Sequence, residues 1–353
     1  MLETLIDRFG DGAVLMMAGA IVGIVFGVAA QHSRFCLRAA TVELSEGQVG
    51  GRLSVWLIAF SAAVLLVQGA IALGALDVSE ARQLAATGSM SGAIIGGLLF
   101  GVGMILARGC ASRLLVLSAT GNLRAILTGL VLTLVAQASL RGVLAPMREA
   151  LAGLWLVPGG EARNMLVQLG LSSGVAAAVA GLAVMVAIAF ALRFEVQATR
   201  IIAAVFVGGA VALGWLLTYA IAQTSFEVVP ISSVTFTGPS TDTLMGLVNA
   251  TDLPLSFGVG LVPGVFAGAG VMALIAREAK IERFGPDTPM ERYLIGAVLM
   301  GFGSMLAGGC AVGAGMSGGS VFAITAWVAV FCMWVGAMAT NRLLAHAPSA
   351  TVA

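Results

Sequence analysis

Two Gly-Cys-Ala triplets stand 200 residues apart in the chain, Gly109-Cys110-Ala111 and Gly309-Cys310-Ala311. A third cysteine lies in Gln31-His32-Ser33-Arg34-Phe35-Cys36-Leu37-Arg38, and a fourth, Cys332, in an apolar run. A thiol is a weak hydrogen-bond donor and a soft, polarizable acceptor. It suits a soft solute held by contacts that form and release quickly, and it cannot strip a hard, strongly hydrated ion. The spacings of the four cysteines fit neither CxxC nor a zinc pattern, so they read as free thiols with no metal. Two of the thiols have basic neighbours. Arg34 and Arg38 stand at i and i+4 around Cys36, and Arg108 and Arg113 flank Cys110, so each set would form an electropositive face on a short helix. No such cluster flanks Cys310, whose sequence neighbours are almost entirely Gly, Ala and Ser.

These residues must be positioned by apolar helices. The 353 residues are 59% hydrophobic and 10% charged, with a mean hydropathy of +1.03; soluble domains average about 25% charged. That balance excludes a soluble enzyme, a disordered chain, a collagen-like chain and a secreted disulfide scaffold. It leaves an all-α polytopic membrane protein, with the lipid bilayer as its solvent. A net charge of +1 points to no nucleic-acid partner. A crossing helix needs about 20 apolar residues. Nine runs qualify: 13–30, 53–76, 91–107, 122–140, 173–192, 199–222, 257–276, 290–307 and 321–341. The start of the chain, MLETLIDRFGDG, carries acids where a secretory signal would be basic, so the first run reads as a retained span in a single membrane domain, 1–353.

With the N-terminus outside, the inner segments hold Arg34, Arg38, Arg52, Arg108, Arg113, Arg124, Arg193, Arg200, Arg277, Lys280, Arg283, Arg292 and Arg342. Arg8, Arg82, Arg141, Arg148 and Arg163 fall outside. The positive-inside bias therefore predicts N-out and C-in. The segment 223–254 has no Lys or Arg and reads as external.

Seven of 11 positions are identical between 101–111 and 301–311. The two spans feeding these motifs run in opposite directions in the predicted topology. That predicts two inverted halves, 1–170 and 171–353, related by a pseudo-two-fold axis in the membrane plane. Each motif ends a short apolar helix and opens a Gly-rich stretch. Irregular backbone at membrane depth survives only where protein or a water-filled cavity satisfies it. The expectation is two re-entrant or broken helices, 91–118 and 290–319, that meet from opposite faces and carry Cys110 and Cys310 at their tips. Short helices starting just past Gly109 and Gly309 would aim orphan N–H groups at the centre and attract an anion without a formal charge.

Plainer roles compete with these. Cys332 reads as a small packing residue, His32 as interfacial, and Met104, Met300 and Met305 as packing. The arginines serve equally as topology determinants. The polar string Pro230–Pro239 is either an external loop or a pore lining.

The duplicated Gly-x-Gly…Gly-Cys motif and the Ser-Arg-Phe-Cys-Leu-Arg segment resemble the YeeE/YedE family of bacterial inner-membrane proteins, a sulfur-transport family that includes thiosulfate transporters. The resemblance covers nearly the whole chain. It implies an hourglass of two inverted halves whose narrow waist is lined by cysteines that contact thiosulfate in succession. Cys110 and Cys310 carry over as the waist thiols and Cys36 as a further thiol towards the cytoplasm. A small cytoplasmic sulfurtransferase of the TusA-like type is the implied partner, and no cofactor is implied. The family pattern has another cysteine upstream of the second motif. Here none lies between Cys110 and Cys310, and Ser256 or Gly258 stands near that place. A membrane thiol oxidoreductase and a less specific anion channel are the alternatives. Neither an ATP-binding motif nor a Ser/His/Asp set is present, and Glu43, Glu46 and Asp242 fall in predicted loops.

Overall fold

The structure is a computed structural model that describes residues 2–249, 254–283 and 289–346. Among the described residues nine helices are long and apolar enough to cross a membrane, and the chain is an all-α, multi-pass membrane protein. Its helices are α1 (Leu2–Phe9), α2 (Asp11–Ser33), α3 (Leu37–Ser45), α4 (Gly51–Ala72), α5 (Arg82–Ala85), α6 (Met90–Leu106), α7 (Ala111–Ala119), α8 (Leu123–Arg141), α9 (Ala145–Ala152), α10 (Met165–Leu169), α11 (Ser173–Arg193), α12 (Ala198–Thr224), α13 (Thr237–Asn249), α14 (Phe257–Ile275), α15 (Met290–Leu306) and α16 (Ile324–His346). A π-helical segment, Ala311–Gly318, follows α15. The only sheet among the described residues is the two-residue pair β1 (Gly88–Ser89) with β2 (Leu156–Val157). The nine expected spans coincide with α2, α4, α6, α8, α11, α12, α14, α15 and α16 to within a few residues at each end. Asp252, in the segment expected to be external, lies outside the described residues.

In lipid there is no hydrophobic force between helices, so close approach depends on small residues. Gly19, Gly23 and Gly27 of α2 lie against the backbone of Phe257, Leu261 and Val265, while Gly260, Gly264 and Gly268 of α14 lie against Met16, Ala20 and Ile24. Both numberings rise together, so α2 and α14 run parallel. α6 and α15 cross in the opposite sense. A methyl on Gly96 would sit 2.5 Å from the Gly303 oxygen and 2.5 Å from Ala307 N, and one on Gly296 would sit 2.7 Å from the Gly103 oxygen and 2.6 Å from Ala107 N. The same reciprocity extends outward: Gly101 lies against the Met333 backbone of α16, and Gly301 against the Leu132 backbone of α8. α11 stands apart. It packs on α4 through Ala176, Ala180, Ala187 and Ala191, while Val179, Leu182 and Met185 stay exposed as a lipid face should.

Both motif helices break after 17 residues. Arg108 (φ 54°) and Gly308 (φ 80°) take left-handed backbone there, which ends a helix and redirects the chain. α7 and the π-helical segment then begin immediately after Cys110 and Cys310.

Candidate functional site

Cys36, Cys110 and Cys310 share one local setting. Each is the N-cap residue of a short helical segment: α3, α7 and the π-helical segment respectively. Oxygen-bearing side chains are preferred at that position because they accept the orphan N–H groups of the first turn. Sulfur is a poorer acceptor. The Cys36 and Cys110 thiols make no cap bond, and Cys310 Sγ accepts only a long bond from Gly313 N at 3.4 Å. Cys110 Sγ instead lies 3.3 Å from Ser112 Oγ. The three thiols thus stand at helix N-termini, where backbone N–H groups and the positive end of the helix dipole gather.

The Cys36 and Cys110 thiols lie near one another, and Arg38 and Arg113 share a chamber wall with Cys36. Cys36 lines a chamber of about 590 Å³ whose wall holds Arg34, Arg38, Arg52, Arg108, Arg113 and Arg200, with Glu43 and Glu195 as its acids. A chain of contacts holds two of these arginines. Arg113 Nη1 donates to Gln31 Oε1 at 3.3 Å, Gln31 Nε2 donates to Glu278 Oε2 at 2.8 Å, and Glu278 Oε1 pairs with Arg34 Nη2 at 3.0 Å. The expectation that Arg34, Cys36 and Arg38 share a short helix is corrected. Arg34 is the left-handed C-cap of α2, Cys36 is extended, and only Arg38 lies within α3. Arg108 likewise sits in the turn and not on α7. The arginines still converge on one chamber, because the turns point them there.

Cys310 belongs to the other end. Gly308 and Gly309 line a cavity of about 700 Å³ with Arg82, Arg148, Asp242, Thr235 and Thr237. This adjoins a cavity of about 330 Å³ bounded by Arg82, Arg148, Arg163, Ser89, Gly308 and Gly313. The absence of basic residues around Cys310 in sequence is thus offset in space by three arginines from distant segments, Arg82 of α5, Arg148 of α9 and Arg163, which local reading could not find. Gly88 and Ser89, which line the smaller cavity, precede α6, and Arg108 of the Cys36 chamber follows it. A 17-residue helix is about 25 Å long, so the chambers lie at opposite ends of α6.

The two Gly-Cys turns do not share one level. Ala107 packs on Gly296 and Ala307 on Gly96. Gly96 and Ala107 are 11 residues apart, so Ala107 and Ala307 are offset by about 16 Å along the crossing. Past the turns, α7 and the π-helical segment touch. The string Pro230–Pro239 lines the larger cavity. Ser317 Oγ donates to Val234 O at 2.6 Å, Gly313 abuts the Thr235 side chain, and the Phe236 ring packs at a tilt against Phe26, centroids 5.1 Å apart. Ser256 caps α14, and Gly258 packs on Pro239 of that string. Thr235 is the side chain that the fold brings against the second motif. Cys332 packs against Gly97, consistent with a filler of a helix crossing.

Parallel glycine-packed helices, two broken helices crossing reciprocally and a basic chamber at each end describe a membrane transport protein. The chain belongs to the sulphur-transport family, whose profile matches residues 32–339. It is 26% identical to the thiosulfate transporter TsuA of Spirochaeta thermophila, across 89% of this chain and 94% of that protein. It is 24% identical to the thiosulfate transporter TsuA of Escherichia coli, across 94% of this chain and 95% of that one.

Proposed function

We propose that the protein takes up a small sulfur-containing anion, thiosulfate or a close sulfur or selenium relative, across a bacterial inner membrane. In this reading the N-terminus is periplasmic and the C-terminus cytoplasmic. The anion enters at the Arg82 chamber, meets Cys310, then Cys110, then Cys36, and leaves through the Arg34, Arg38, Arg108 and Arg113 chamber. The observation that carries the proposal is the shared N-cap position of all three thiols, between two arginine-lined chambers. Free N–H groups beside Gly109 and Gly309 balance the anion's charge without a fixed cation in the waist. The thiols supply soft contacts weak enough to let it go. The terminal sulfur of thiosulfate matches that softness where sulfate oxygen does not. No bond is made or broken, so the protein is a carrier or channel-like permease and not an enzyme. Cytoplasmic consumption of the anion, with a TusA-like sulfurtransferase as acceptor, pulls the flux.

The reciprocal α6–α15 contacts support a pseudo-two-fold arrangement of inverted halves. In this reading the halves are 1–170 and 171–353. The adjacency of Cys36 and Cys110 favours one second reading, thiol–disulfide exchange, which requires a change in thiol oxidation state during turnover.

A bacterium lacking sulfate and thiosulfate uptake, grown on single sulfur sources, tests the proposal. Growth on thiosulfate is expected with the intact protein and not with Cys110→Ser or Cys310→Ser. Normal rescue by both variants would remove the thiol mechanism, and no rescue on any source would remove the substrate class.

A further inference from the structure

Three of the chain's five tryptophans line one cavity of about 290 Å³, apart from both arginine-lined chambers. Trp56 and Phe60 of α4 form one wall, and Trp327, Val330, Phe331 and Trp334 of α16 form the other. Its floor is Gly315 of the π-helical segment that Cys310 caps, with Gly319 just beyond that segment. The rings brace one another. Trp56 stacks on Phe60 with centroids 5.2 Å apart, Trp334 stands edge-on to Trp56 at 5.2 Å, and Trp327 edge-on to Phe60 at 5.4 Å. Trp327 Nε1 donates to Gly319 O at 3.2 Å, which ties α16 to the floor. No hydroxyl, amide or charged side chain lines the cavity.

Its depth in the bilayer identifies what fills it. Phe331 and Trp334 stand near the middle of the 23-residue α16, whereas tryptophan in membrane helices gathers at the two interfaces. Phe331 is 68% exposed, so the cavity opens sideways onto the lipid-facing surface. Water would find too few polar partners there. A second helix, about 10 Å across, is too wide to enter. Left empty, the ring faces would lack dispersion contacts on one side, and in lipid no hydrophobic force draws the walls together. An apolar cavity of ~150 Å³ already takes up benzene, and the groups present at mid-bilayer are lipid tails.

We propose that this cavity is a binding site for one acyl chain of a membrane phospholipid, which enters between α4 and α16 and supports the π-helical segment from behind. The headgroup stays at the membrane surface, away from the lining, so the site selects a chain and not a headgroup class.

Photo-crosslinking in proteoliposomes tests this, using phosphatidylglycerol or phosphatidylethanolamine with a diazirine at mid-chain and mapping the labelled peptides by mass spectrometry. Label is expected on the stretches Trp56–Phe60 and Gly315–Gly319, equally from both headgroups. Lipid that merely surrounds the protein does not reach the buried glycines. It marks outward residues such as Leu182 and Met185 of α11, which serve as the internal standard. Val330→Phe, which plugs the cavity, should lose the label on the glycine stretch and keep that on α11. Should this variant fail to fold, the intact protein still decides the matter, because label on α11 with none on Trp56–Phe60 or Gly315–Gly319 would overturn the site. Label that persists in folded Val330→Phe, that comes from one headgroup alone, or that an isoprenoid quinone displaces at equal concentration would overturn it too.

Discussion

Arg108 and Gly308 adopt the same left-handed backbone, φ 54° and 80°, at the ends of helices that align at an offset of 200 residues. Glycine takes that conformation without cost, whereas an L-residue with a side chain loses about 1 kcal/mol. Strain retained at one of two matched turns is what a functional side chain would explain, and Arg108 lines the Cys36 chamber.

Arg108→Gly is therefore expected to raise the thermal stability of the detergent-solubilised protein, by about 0.5–1 kcal/mol, while lowering uptake. Stability that rises with uptake unchanged would mean that the arginine serves only as a topology determinant.

The reciprocal crossing gives a second test. Gly96→Ala or Gly296→Ala would press a methyl onto backbone 2.5–2.7 Å away on the opposing helix. Backbone cannot rotate aside, so either change should cost about 1–3 kcal/mol. Gly129→Ala, whose added methyl meets open space in α8, should be neutral or slightly stabilising. Unfolding midpoints of the three variants measure the contrast.

The four cysteines should separate functionally. Cys36→Ser and Cys110→Ser alter thiols that adjoin one another beside Arg113 and should abolish thiosulfate-dependent growth. Cys332→Ala removes one buried sulfur that packs on Gly97; it should keep uptake and cost about 1 kcal/mol or less of stability. Radiolabelled thiosulfate uptake at equal expression checks both halves of the expectation.

Asp242, outside the spanning helices, faces the larger cavity beside the second motif. Burial raises its carboxyl pKa, and Arg141 only partly offsets this. A raised acid pKa means that the folded state holds the proton more tightly than the unfolded chain. Its contribution to stability therefore improves as pH falls through the raised value and is lost as pH rises above it. Protonation also removes a negative charge from the cavity mouth, so the KM for anion uptake should fall on mild acidification. Asp242→Asn should carry the low KM at neutral pH and flatten the pH profile; a profile unchanged by this substitution would exclude the residue from anion access.

Much of the architecture was legible locally. Spanning segments follow from apolar run length, because the hydrocarbon thickness sets how many helical residues are needed. The broken helices at Gly109-Cys110 and Gly309-Cys310 were visible because each short apolar run ends at a Gly-Cys step and opens a Gly-rich stretch within a few residues of chain. The small helices α3 and α13, the π-helical segment and the 16 Å stagger of the two turns were not, since they depend on how neighbouring helices interlock.

Residue types alone therefore determined that this chain lives in a bilayer, where its helices break, and which thiols stand at the breaks, since each of these is a local property of backbone and hydrophobicity. Tertiary structure alone decided that Cys36 lies beside Cys110, that Thr235 reaches the second motif, and that Arg82, Arg148 and Arg163 gather around the Cys310 turn. These residues are separated by up to hundreds of positions in sequence. Interdigitating glycine surfaces set the helix spacing and register that bring them together, and no local sum of propensity or hydropathy contains that information.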